Sequence, residues 1–385
     1  MGTEGTAEIR VLISEFENVP PANDISEGRL NVAKRARKSL FRWSGQFPPE
    51  LAEALLEKYA KPGATVLDPF SGSGTVLFEA AKRSLQCMGT DTNPMAVELS
   101  KTAMFCNVSD ADRLKYINRA QNLLKNAVIG FDKSGAFPGK LSAKDYDIIK
   151  KTLADASIDE LTQNILLNVL MRFFSSKEKE TVSGLAGAFE THKSTVMGLP
   201  HSDAKCTALL ADARKLPIKS ASVNLVLTSP PYPGVFDYYK NYKRVMYLAG
   251  WKASDAARSE IGRLKDRGGK LAGLAAYAVD IHNAILEIRR VLKKGGSFLL
   301  VIGNRVEING ANVKSAELLY VLARMSGFRM ITRQERRFTG RQGKGVSESI
   351  LHFIPSEAIA SMDFGIDKLL HEFTEMPTAQ NEKKY

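Results

Sequence analysis

Cysteine is scarce in this sequence: three in 385 residues, Cys87, Cys106 and Cys206, scattered and without a CxxC pair. That excludes a disulfide-stapled scaffold and a cysteine zinc site, and it fits buried thiols in a reducing compartment. The five histidines add no metal-ligand spacing to them. No apolar run reaches the length of a bilayer span, and no basic-then-apolar export signal opens the chain, so neither membrane insertion nor secretion is expected. Met1-Gly2 with Thr6 meets only the bare myristoylation pattern, short enough to arise by chance. No GxGxxG is present, which makes a nicotinamide dinucleotide a poor fit. No internal repeat is visible.

Acid is in deficit. Lys and Arg outnumber Asp and Glu by 54 to 42, a net charge of +12, which suggests a polyanionic partner. The surplus is uneven. Arg29, Lys34, Arg35, Arg37, Lys38 and Arg42 follow one another with no acid between them. Arg329, Arg333, Arg336, Arg337, Arg341 and Lys344 face only Glu335 in the same stretch. Bases also outnumber acids from Lys240 to Lys270, whereas residues 108–204 are nearly balanced. Any one such run can equally be a solvated face. Hydrophobic residues at 44% and charged residues at 25% are ordinary for a globular chain of this length.

The periodicity predicts an amphipathic helix over Pro48–Ala60, begun by Pro48-Pro49 and stopped by Pro62-Gly63. A short buried strand, Thr65–Asp68, runs into a Gly-rich turn and a helix over Thr75–Arg83. A second strand, Gln86–Asp91, is followed by a helix over Pro94–Phe105. Strand, turn, helix, strand is the start of a doubly wound sheet. Helical patterns then interrupt it up to about Phe174, among them Leu161–Phe174. Strands resume at Cys206–Ala211 and Ser222–Thr228. A long helix over about Ala275–Leu292 is closed by Lys293-Lys294-Gly295-Gly296, and Ser297–Ile302 reads as a strand. A helix over Ser315–Met325 and a hairpin of Phe328–Phe338 with Glu348–Ile354 complete the pattern. The residues from about Thr374 are polar and are expected to be disordered.

The expected fold class is therefore α/β: a doubly wound, Rossmann-like sheet, mostly parallel, with a terminal antiparallel hairpin and a helical insertion. The expected division is a basic N-terminal arm (1–40), one α/β domain from 41–107 and 205–355, a helical insertion (108–204) and a C-terminal tail (356–385).

Two short motifs carry chemistry. In Asp68-Pro69-Phe70-Ser71-Gly72-Ser73-Gly74-Thr75, glycines after a buried strand let the backbone approach a ligand, and a helix N-terminus follows. Asp91 ends the next strand about 20 residues on, where an acid can accept from ribose hydroxyls. A tight structural turn and an ordinary strand-end acid would look the same. In Ser229-Pro230-Pro231-Tyr232, the prolines remove two amide donors and leave carbonyls free to accept from an amino group. Tyr232 offers a ring on which a planar base can stack. Alone, this tetrapeptide is a common turn.

Together these residues resemble the DNA amino-methyltransferase family, which modifies N4 of cytosine or N6 of adenine. Trp43 to Lys61 followed by VLDPFSGSGT resembles that family's motif X running into motif I. Thr90-Asp91-Thr92-Asn93-Pro94 resembles its ribose-binding motif, Ala211-Asp212-Ala213 its adenine-contacting turn, and TSPPY its catalytic motif IV. VLKKGGSFLLVIGN and VSESILHF resemble its closing strands. The resemblance runs from about Leu40 to Phe353 and leaves residues 108–204 unmatched, a candidate target-recognition region.

The resemblance implies a Rossmann-like methyltransferase domain and S-adenosyl-L-methionine as cofactor, held by Asp68, Pro69, Phe70, Ser71, Gly72, Gly74, Thr75, Asp91, Asn93, Asp212 and Ala213. Ser229, Pro230, Pro231 and Tyr232 would carry the chemistry on a flipped-out base, with Asp91 on the ribose and Asp212 on the adenine amino group. No metal is implied. Double-stranded DNA would be the partner, contacted by Arg35, Arg37, Lys38, Arg337, Arg341 and Lys344. A cognate restriction endonuclease would be a functional counterpart, and the place of action the cytoplasm, at the nucleoid. Ser at the head of SPPY favours cytosine N4, because Asp or Asn usually stands there in N6-adenine enzymes. An RNA base methyltransferase and a catalytically dead nucleic-acid-binding relative are the other readings. Carbon-5 methylation would need a cysteine, typically after proline, and none of the three follows one.

Overall fold

The two strands that lead into the motifs, Thr65–Asp68 and Val223–Thr228, are short and largely buried, and each runs straight into a proline-containing turn. The computed structural model describes residues 4–32, 39–41, 43, 45–46, 48–131, 139–176, 180–232, 242–252, 260–261, 270–308, 311–339, 345–356, 370 and 372–375. Helices α1 (Glu4–Asn18), α2 (Glu27–Asn31) and α3 (Pro49–Tyr59) come first. Pro49 sits in the first turn of α3, where a missing amide costs nothing. β1 (Thr65–Asp68), α4 (Thr75–Ala81), β2 (Gln86–Asp91) and α5 (Pro94–Lys101) follow. Asn93 caps α5, accepting from the Met95 amide at 2.9 Å. A 3-10 stretch, Thr102–Asn107, replaces the last turn expected of that helix.

The described residues between 110 and 197 form four helices, α6 (Asp110–Ala127), α7 (Ala143–Leu153), α8 (Glu160–Ser175) and α9 (Val182–Met197). Each opens on a side chain that caps a free amide: Ser109, Ser142, Asp159 and Thr181. β3 (Cys206–Leu210), β4 (Val223–Thr228), α10 (Lys243–Leu248), α11 (Lys270–Val291) and β5 (Leu292–Gly303) restore the alternation. β6 (Arg305–Ile308), β7 (Ala311–Lys314), α12 (Ser315–Met325), β8 (Phe328–Thr339), β9 (Gly345–Pro355) and β10 (Thr374–Glu375) end it.

Seven strands form one sheet in the order β3-β2-β1-β4-β5-β9-β8. The pairs from β3 to β5 are parallel, and β9 is antiparallel to both its neighbours, so β8 runs with the rest. This is the expected doubly wound sheet with a terminal hairpin. Strand side chains alternate between two cores. Val66 joins Leu51, Leu55, Leu77 and Ile165 on one face, and Leu67 joins Ile285, Leu318 and Leu319 on the other. Strand order reverses between β1 and β4, which opens a crevice at their carboxyl ends.

Two features differ from the sequence reading, and a third adds to it. The N-terminal segment carries a docked helix: Ile9, Leu12 and Phe16 of α1 are buried in the second core, with the Phe16 ring 5.3 Å from that of Tyr320. Burial of such side chains is worth about 1.5–3 kcal/mol each, enough to hold the helix down. Lys293 to Gly296 do not end a helix but belong to β5. Val223 pairs with Leu292 and Leu225 with Ser297, and Gly295 at φ 75° takes up the extra residues as a bulge. Finally, Thr374 and Glu375 are paired rather than disordered, lying against Val313 and Asn312 in a small sheet β10-β7-β6. Among the described residues no helix is long and apolar enough to cross a membrane.

Candidate active site

β1 ends on Asp68 and its neighbour β4 ends on Thr228, so the two motifs start side by side at the reversal of strand order. The Thr228 hydroxyl donates to Asp68 Oδ1 at 2.6 Å, and the Phe70 amide donates to the same oxygen at 3.1 Å. Burial pushes the Asp68 carboxyl up to about 7 despite those two donors. Asp91, at the end of β2, binds the Gly-rich turn to its own: Oδ2 accepts from the Gly72 amide at 3.0 Å and Oδ1 from the Asn93 amide at 2.9 Å. Burial raises Asp91 to about 6.

Two glycines of the turn sit at positive φ for different reasons. A Cβ on Gly72 (φ 48°) would lie 2.8 Å from Trp43 Nε1, and one on Gly74 (φ 81°) would lie 2.9 Å from Ser100 Cα. The first lets the indole cover the turn, and the second lets α4 pack on α5. The Trp43 ring in turn stacks on Tyr242 at 5.6 Å and 13°.

A cleft of about 940 Å³, open solvent included, lies over these strand ends. Of the residues expected to hold a cofactor, Asp68, Pro69, Phe70, Ser71, Gly72, Thr75, Asp91, Asn93 and Ala213 line it. Ser229, Pro230, Pro231 and Tyr232 line its other side. Gly74 lies below the surface against Ser100. Asp212 is not in the cleft lining but stands next to Ala211, which is. Arg214 engages its carboxylate, with Nη2 to Oδ2 at 2.6 Å and Nε to Oδ1 at 3.0 Å, and also reaches Asp280 at 2.6 Å.

Sequence reasoning missed Gln46, Glu260 and Ile261, which also line the cleft, and gave Trp43 no site role. The Ser73 hydroxyl donates to Gln46 Oε1, which ties residues upstream of α3 to the turn. Only the closeness of Trp43 and Gln46 to the Gly-rich turn in the chain hinted at them.

Tyr232 is fixed from behind. Its hydroxyl donates to Glu348 Oε1 at 3.2 Å. Burial, with the Glu348 carboxylate beside it, holds the phenol well above its ordinary range.

Of the residues expected to touch DNA, Arg35, Arg37, Lys38, Arg341 and Lys344 lie outside the described residues. Arg337 has its side chain 80% exposed, with Nη2 3.7 Å from Glu335. The basic run is not a uniform face, however. Arg336 is buried against Glu348, and Arg333 lies over the Phe16 ring at 4.7 Å.

Residues 15–102 match the DNA methylase family of N6 and N4 methyltransferases. The type II methyltransferase M.MjaII of Methanocaldococcus jannaschii is 27% identical over 149 residues, 36% of this chain and 27% of its own. The type II methyltransferase M.XycI of Xanthomonas campestris pv. cyanopsidis is 43% identical over 54 residues, 14% of this chain and 18% of its own. The chain thus spans well under a third of these curated relatives. Among solved structures, a SAM-dependent methyltransferase from Methanosarcina mazei aligns with 79% of this chain and 98% of its own, at 11% identity and a TM-score of 0.38. TrmN from Thermus thermophilus aligns with 81% and 50%, at 16% identity and a TM-score of 0.34.

That family's cofactor, S-adenosyl-L-methionine, fits the donor set of the cleft. Asn93 Nδ2 is buried there with no hydrogen-bond partner among the described residues, an orphan donor that an oxygen-bearing ligand would satisfy. The carboxyls of Asp68 and Asp91 suit a cationic ligand carrying ribose hydroxyls. Over residues 15–102 the chain is similar to the DNA methylase family of N6 and N4 methyltransferases.

Proposed function

We propose that this protein transfers a methyl group from S-adenosyl-L-methionine to the exocyclic N4 amino group of cytosine in double-stranded DNA. The observation that carries the reading is that the Asp68-to-Thr75 turn and Ser229–Tyr232 share one cleft at the reversal of strand order. Phe70, Gly72, Asn93 and Ala213 would hold the cofactor, with Asp91 on its ribose. When bound, it supplies an electrophilic methyl group on a sulfonium.

The rest falls to the chain's own residues. A base inside a duplex cannot reach the cleft, so it is flipped out, at a cost of a few kcal/mol. Tyr232 offers a ring for that base to stack on. The amino nitrogen is a weak nucleophile because its lone pair is delocalised into the base. The Ser229 hydroxyl and the Pro230 carbonyl would accept hydrogen bonds from its N–H groups, favouring a pyramidal nitrogen whose lone pair is free, and the surplus proton on the methylated nitrogen is lost to water. Positioning and electrostatics then suffice, without a covalent enzyme nucleophile. Ser at position 229 supports cytosine over adenine. Residues 108–204 serve target recognition in this reading, the enzyme works in the cytoplasm at the nucleoid, and a restriction endonuclease of the same specificity is its functional counterpart.

DNA from a host expressing the protein, hydrolysed to nucleosides and analysed by mass spectrometry, should contain N4-methylcytosine. N6-methyladenine alone would reverse the choice of base. Methylation of RNA alone would move the substrate, and cofactor binding with no transfer to either would make the protein a non-catalytic relative.

A further inference from the structure

We infer that Glu348 and Arg336 are positioning residues for Tyr232: a buried ion pair on the β8–β9 hairpin fixes the ring on which the target base stacks. The inference rests on the reading of Tyr232 given above. The two residues are 9% and 3% exposed. Arg336 Nε donates to Glu348 Oε2 at 2.7 Å, while Glu348 Oε1 accepts from the Tyr232 hydroxyl at 3.2 Å. Arg336 is held in its own right. Its Nη1 donates to the Leu30 carbonyl at 3.4 Å, and its guanidinium carbon lies 4.5 Å from the centre of the Phe338 ring.

The register of the sheet explains why these residues meet. Gly303 of β5 pairs with Glu348 of β9, and Glu348 pairs with Arg336 of β8, one row across three strands. Tyr232 lies along that row. A Cβ on Gly303 would come within 3.2 Å of its ring, so the ring rests on bare backbone while its hydroxyl is caught one strand further on. Two points of attachment set both position and tilt.

A buried ion pair is a weak source of stability, because desolvating both charges offsets most of their attraction. Its use here is to hold an acceptor oxygen at a fixed place behind the cleft. The basic run that looked like a nucleic-acid-facing surface thus spends one of its arginines inside, on the side of the sheet that backs the SPPY tetrapeptide.

The test is a double-mutant cycle of Tyr232→Phe and Glu348→Gln on the full chain, with methyl transfer to DNA, cofactor affinity and melting temperature measured for each. Each single variant should lower kcat about tenfold, the size of one hydrogen bond to a charged group, and leave cofactor affinity within about twofold. The double variant should lose no more than Tyr232→Phe alone, because Glu348 acts through the phenol. Multiplying losses, or a Glu348→Gln variant with full kcat, overturn the inference. If the parent protein transfers no methyl group, the proposed function fails instead. The anchor is then read from 3-fluorotyrosine placed at position 232: its fluorine signal should shift in Glu348→Gln, and an unmoved signal overturns the anchor.

Discussion

Asp68 and Thr228, 160 residues apart in the chain, share a 2.6 Å hydrogen bond that joins the last residues of β1 and β4. The bond sits where the strand order reverses, so it fixes the cofactor-side turn against the SPPY tetrapeptide.

Asp68 makes stability depend on pH in an unusual sense. Its carboxyl is raised from 3.8 to about 7, so the folded protein keeps this proton where the unfolded chain has lost it. Its contribution is fully present below pH 4 and is lost as pH rises towards 7. Asp68→Asn keeps an acceptor oxygen for Thr228 and Phe70 and carries no charge. It should be more stable than the parent by about 1–3 kcal/mol at pH 8, with the gap closing near pH 4, and it should bind S-adenosylmethionine more weakly. Denaturant unfolding at the two pH values checks the first point and calorimetry the second. Parallel stability curves would remove the buried charge from the account.

Asp91→Ala should weaken cofactor binding by about 1–3 kcal/mol, since it leaves polar partners unpaired. It also strips the acceptor from the Gly72 and Asn93 amides, so the melting temperature should fall as well. Unchanged affinity in a folded variant takes Asp91 out of the site.

Gly72→Ala tests the indole lid. The new methyl group meets Trp43 Nε1 at 2.8 Å and forces φ 48° on an alanine. A cost of about 1–3 kcal/mol follows, with a change in tryptophan emission as Trp43 moves. Intact emission and stability would show that the turn relaxes elsewhere.

Changing Arg337, Arg341 and Lys344 together to Ala should weaken binding to every DNA sequence and flatten its salt dependence. The slope should fall by roughly 0.9 for each phosphate that is no longer neutralised. The same number of Lys→Ala changes within residues 108–204 should alter the slope little. Equal slopes for the triple variant and the parent would place the DNA elsewhere.

Local signals made much of this molecule legible in its sequence. β1 lies between Pro62-Gly63 and Pro69, β2 ends just before Asn93-Pro94 and α12 ends just before Gly327, because those boundaries are set by neighbouring residues. Long-range partners were not legible. α1 owes its place to Tyr320 of α12 and Arg333 of β8, which no pattern over residues 4–18 announces. Arg336 looked solvated within a run of bases, since charge composition carries no distance, and its partner Glu348 stands on the next strand. Asp212 was read through its motif while Arg214, two residues on, takes its carboxylate.

The stretch from Phe16 to Asn31 lies along β8. The Ala22 amide donates to the Arg333 carbonyl at 2.6 Å, Arg333 Nη1 to the Phe16 carbonyl at 3.0 Å, and the Ile25 amide to Gln334 Oε1 at 3.1 Å. These partners are 309 to 317 residues apart in the two side-chain bonds. During synthesis at about 5–20 residues per second, the early segment has left the ribosome roughly 15–60 s before its docking strand exists. It must wait unpaired until β8 has been made, while the strands between them emerge one after another.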